Sequence, residues 1–130
     1  MTSALGNAQS AHDVLGAPGV VSLGSQAAPK LTVDPPLPGP LSFGRVVIQY
    51  RAENLRIVPV FGPKALDVSP RIGHVHVTID DLPWHWADAS GEPLILNGFP
   101  PGRHKVLIQL VDANHKPFTS IVQEFVIPAL

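Results

Sequence analysis

"GHVHVTID", Gly73 to Asp80, alternates without a break: Val75, Val77 and Ile79 fall on one face, His74, His76, Thr78 and Asp80 on the other. Side chains two apart along an extended chain project to the same side, so a strict period of two predicts a half-buried β-strand. Its neighbours repeat the signal. "RVVIQYR" and "LRIVPVF" are β-branched and aromatic runs separated by "AEN", which reads as a hairpin-length interruption. Pro59 inside the second run demotes that segment to an edge or a bulge. "LILNGF" is a short strand ended by "PPG", "RHKVLIQLVD" the longest β run, and "ANHKPF" turns the chain into a last strand, "TSIVQEFVIP".

With 15 prolines and 11 glycines in 130 residues, and no long 3.6-residue period free of them, helix is expected to be almost absent. About seven short strands separated by regular turn signals predict an all-β chain, an immunoglobulin-like β-sandwich, with a closed barrel as the alternative. Residues 1–40 read as a flexible or docked N-terminal arm and residues 41–130 as the sandwich domain. Within the arm, "VDPPLPGP" (Val33 to Pro40) is expected to be an extended connector rather than helix, because each later proline disfavours the α region in the residue before it.

Composition excludes several functions. There is no cysteine, hence no disulfide, thiolate metal site or cysteine nucleophile. Nine Lys+Arg against ten Asp+Glu, scattered along the chain, give a formal charge of -1 and no basic patch for nucleic acid. No apolar run reaches the ~20 residues of a membrane span. A nucleophile elbow, a phosphate loop and a His-Glu-x-x-His helix are all missing, so nothing compels an enzyme reading. Asp80 and Asp81 are adjacent and face opposite ways in a regular strand, which prevents them from working as a carboxylate pair.

Three readings of Gly73–Trp86 remain open. In the first, His74 and His76 converge on one ion, as His-x-His on a strand permits. If "GHVHVTID" pairs antiparallel with "RHKVLIQLVD", the start of one meets the end of the other. His115 is then the third ligand, Asp112 a fourth ligand or a supporting partner, and His104 lies near Asp80 and Asp81. Imidazole and carboxylate donors suit Zn or Cu(II). In the second, the histidines form a hydrogen-bonded polar face with Thr78 and Asp80. In the third, Trp84 and Trp86 share a side and stack a sugar ring or another flat ligand, with Asp81, Asp88 and Glu92 as polar candidates and Asp112 as a further ligand-binding residue, or they serve a protein interface, or one of them caps the core. His104, after "PPG", reads as a backbone-bonding residue that opens its strand, and His12 receives no role. An exposed edge strand or the arm also offers a route to a homo-oligomer.

"GHVHVTIDD", "FPPGRHKVLIQLVDANHKPF" and "QEFVIP" resemble a pattern of exported bacterial proteins: Gly-His-x-His, then Pro-Pro-Gly-x-His, then a strand ending in Asp-x-x-His. With "DPPLP", "IQYRAENLRIVPVFG" and "LPWHWADASG", residues 30–128 resemble a family of small bacterial proteins of unknown function. That resemblance implies an immunoglobulin-like sandwich and a periplasmic or secreted mature form with its leader removed. It implies no activity.

Overall fold

The computed structural model describes residues 26–83 and 85–129. Nine strands occupy this region: β1 (Lys30–Val33), β2 (Val46–Ile48), β3 (Tyr50–Glu53), β4 (Arg56–Ile57), β5 (Ile72–Ile79), β6 (His85–Asp88), β7 (Leu94–Leu96), β8 (Gly102–Asp112) and β9 (Pro117–Ile127). Among the described residues helix is limited to one turn, α1 (Pro38–Leu41), and a 3-10 turn at Pro63–Asp67. The chain is all-β, as its alternating pattern predicts.

The principal sheet runs β4-β5-β8-β9, with β6 also on β5. β5 and β8 pair antiparallel from Gly73↔Asp112 to Ile79↔Val106, the register inferred from sequence. Two smaller sheets, β2-β7 and β1-β3, complete the fold. Val75 and Val77 of β5, with Val106, Ile108 and Leu110 of β8, point one way and are fully buried. They pack with Val46 and Ile48 of β2 and Leu94 and Leu96 of β7, so the core fills the space between sheets. Alternation therefore turns His74, His76 and Thr78 to the opposite face of β5.

Three local expectations are corrected. The runs flanking "AEN" do not form a hairpin with each other: β2 pairs β7, β3 pairs β1, and β4 runs parallel to β5. Short runs follow whatever long strand offers pairing and burial, and Leu55, buried at 7 % exposure, anchors the segment in the core. Nine strands stand where about seven are expected, because segments as short as Lys30–Val33 and Arg56–Ile57 find partners. The proline-rich stretch contains a helical turn after all. Pro38 sits in its first turn, where no N–H is needed, and Gly39 has no Cβ to clash with Pro40.

Candidate metal centre

His74 and His76 come from the first half of β5, and His115 from the turn between β8 and β9. That turn is built locally. The His115 N–H donates to the Asp112 carbonyl (3.0 Å) and the Asp112 N–H to the Lys116 carbonyl (2.9 Å). The Asp112 carboxylate accepts from the N–H groups of Asn114 (2.8 Å) and Lys116 (3.0 Å). His115 itself takes a left-handed conformation, φ 68°. A tight turn closed by one left-handed residue is a standard three-residue hairpin loop, and it swings the imidazole back over β5.

His74 Nε2, His76 Nε2 and His115 Nδ1 form a nearly equilateral triangle with sides of 3.2, 3.1 and 3.1 Å. The ring centroids stand farther apart, 5.0 to 5.1 Å, so all three rings aim a nitrogen at a shared centre. Nitrogens at this spacing could all reach one ion at the usual zinc–nitrogen distance of about 2.0–2.1 Å, and would supply three imidazole donors to it. These three residues are the group of metal-capable side chains found among the described residues.

Burial falls across the triangle: His74 is fully buried, His76 half-buried and His115 exposed. Among the described residues His74 is the single buried polar residue, and its Nδ1 has no hydrogen-bond partner there. Burial, aided by the charges of His76 and His115, pushes the His74 imidazole down to about 4. Burial also lowers His76, with His115 and His85 adding to the effect. At neutral pH both rings are uncharged and offer lone pairs.

Two further rings frame the site. Phe61 lies nearly parallel to His115 (centroids 6.0 Å, 18°) and edge-on to His74 (4.9 Å, 83°). Its loop is pinned to the same turn by the Gly62 N–H, which donates to the Ala113 carbonyl. His85 sits 5.6 Å from the His76 ring. Sequence reasoning missed both. His85 was accessible through the β5–β6 register, Thr78↔His85, which places it on the histidine face. Phe61 depends on the parallel β4–β5 pairing, which leaves no local signal.

The other candidates fall elsewhere. Trp86 packs against the hydrophobic core, on the face of β6 turned away from the histidines, and Trp84 lies outside the described residues. Asp112 shapes the turn with its carboxylate. His104, at the far end of β8, bonds Asp80 and the Pro100 carbonyl.

No curated protein and no solved structure matches the chain. A family model covers residues 1–130. The chain therefore belongs to a family of unknown function, DUF6130.

Proposed function

We propose that this protein binds a single zinc ion through His74 Nε2, His76 Nε2 and His115 Nδ1. The observation that carries the reading is the equal spacing of three ring nitrogens, 3.1 to 3.2 Å on every side. Three ligands of a square-planar ion must include an opposed pair about 4 Å apart, so this triangle favours zinc over Cu(II). The chemistry of His74 supports the same reading. Burying an imidazole whose nearest polar neighbours are two more imidazoles costs stability, and a shared cation turns three mutually repelling donors into partners. A purely structural hydrogen-bonded row explains the arrangement less well, because each neutral ring nitrogen in the triangle is either one donor or one acceptor.

Calorimetric titration of tag-free, chelator-stripped protein with zinc tests this. One saturable site is expected, abolished by His76→Ala. Absence of saturable binding at micromolar metal, or binding indifferent to His76→Ala, rejects the reading. The resemblance to exported proteins supports a location outside the cytoplasm. Cell fractionation of the natively expressed protein tests that, and retention with cytoplasmic markers counts against it.

A further inference from the structure

Resting on the zinc reading, we infer that the ion's fourth position is a ligand-exchange position for a small anion, held between Phe61 and His85. Structural zinc sites are closed by four protein donors, whereas sites that exchange ligands keep one position open. Among the described residues three donors converge and no fourth joins them. The nearest candidate from sequence, Asp112, has its carboxylate on two backbone N–H groups of its own turn.

Charge selects the class of ligand. Three neutral imidazoles leave both positive charges of the ion uncompensated, and the fully buried His74 on one corner lowers the local dielectric. An anion at the fourth position relieves that charge. Shape indicates where it goes. His115 is exposed and His76 half-buried, so those two corners of the triangle lie nearest solvent, and Phe61 stands beside it, nearly parallel to the His115 ring at 6.0 Å and edge-on to the buried His74 at 4.9 Å. His85, also exposed, flanks His76 at 5.6 Å. One wall is thus apolar and the other carries an N–H donor, which suits a small carboxylate with a short apolar substituent better than a bare halide.

Cobalt(II) replaces zinc in such sites and reports its coordination in the visible spectrum. The cobalt-loaded protein is titrated with acetate and with thiocyanate, alongside zinc titrations of each variant. Saturable spectral changes with both anions are expected. His85→Ala is expected to weaken acetate binding about tenfold, the loss of one hydrogen bond to a charged group, while zinc affinity stays within about twofold. Phe61→Ala is expected to weaken acetate more than thiocyanate. A cobalt spectrum that ignores both anions overturns the inference and leaves the zinc site standing as a closed one. Zinc affinity that falls together with anion response in His85→Ala makes His85 a ligand and likewise overturns it. Failure to load either metal removes the zinc reading and this one with it, before any anion is added.

Discussion

His115 holds a backbone conformation, φ 68°, that costs an L-residue free energy and that glycine adopts freely. A hairpin loop selected for stability alone has glycine at this position. The side chain that occupies it instead carries one of the three converging nitrogens. His115→Gly is therefore expected to raise the stability of the metal-free protein by up to about 1 kcal/mol while abolishing zinc binding. Urea unfolding in the presence of a chelator, paired with a zinc titration, reads both effects. A variant less stable than the parent contradicts the strain argument. Gly73 is constrained in the opposite way. A Cβ there would collide with the Val111 carbonyl oxygen and fall 2.9 Å from Leu55 Cδ1, with backbone on one side and core on the other. Gly73→Ala is expected to cost about 1–3 kcal/mol by prising β5 from β8 beside His74, measured by the same unfolding midpoint. A loss below a few tenths means the strands part more easily than the core packing implies.

The β8–β9 hairpin is the element that turns a polar strand face into a three-donor site. Its turn depends on one carboxylate oxygen: Asp112 Oδ1 accepts from Asn114 and Lys116 and so fixes the loop that aims His115. Asp112→Ala leaves those N–H groups to solvent. Zinc affinity is expected to drop at least tenfold, the usual scale for losing a residue that orients a ligand, with about 1 kcal/mol of stability. Asp112→Asn keeps the oxygen acceptor and is expected to retain most of both. Equal losses in the two variants point to the charge of Asp112, which acts on His74, rather than to the turn. The hairpin also marks how far the sequence was legible. Strict alternation in Gly73–Asp80 set the face of His74 and His76, and the length of "RHKVLIQLVD" set the antiparallel register that brings His115 over them. The register placed His104 beside Asp80 by the same logic, and the two are hydrogen-bonded at 2.6 Å. What escaped was non-local. Arg56–Ile57 pairs in parallel with Ile72–Gly73, and this choice, invisible in a two-residue strand, delivers Phe61 to the site. The helical turn at Pro38 was obscured by reading proline as a breaker where it stands at the first helical position.

Across the whole molecule, β5 and β8 form a rigid ladder with a histidine arrangement at each end, roughly 20 Å apart at ~3.3 Å per residue. The far end is chemically unlike the three-histidine cluster. His104 Nδ1 lies 2.6 Å from Asp80 Oδ2 and Nε2 lies 2.7 Å from the Pro100 carbonyl. Both partners are acceptors, so the two bonds are made together only when the ring is protonated and donates from both nitrogens. The hydrogen bond to Asp80 raises the His104 pKa against the opposing effect of burial, and its side chain is 10 % exposed. Hydrogen bonds from His104 and the Lys105 N–H outweigh desolvation and lower that of Asp80. A raised histidine contributes stability in full below its unfolded value of about 6.5 and loses it as pH climbs through the folded pKa. A lowered carboxylate contributes in full above about 3.9 and loses it as pH falls through its folded pKa. The pair therefore stabilises most between about pH 4 and about pH 6.5 and fades on the alkaline side. In the metal-free protein His74 and His76, both lowered, act with the opposite sign, adding stability as pH rises through their range. The informative quantity is thus the difference between the parent and His104→Gln at each pH, from urea unfolding. That difference is expected to be largest near about pH 5 and to shrink steadily toward about pH 9. Separation beyond the ~8–10 Å screening length predicts the same curve with zinc bound. A difference flat across that range would mean that His104 is neutral at one nitrogen. A curve that moves on adding zinc would mean that the two ends of the ladder are coupled.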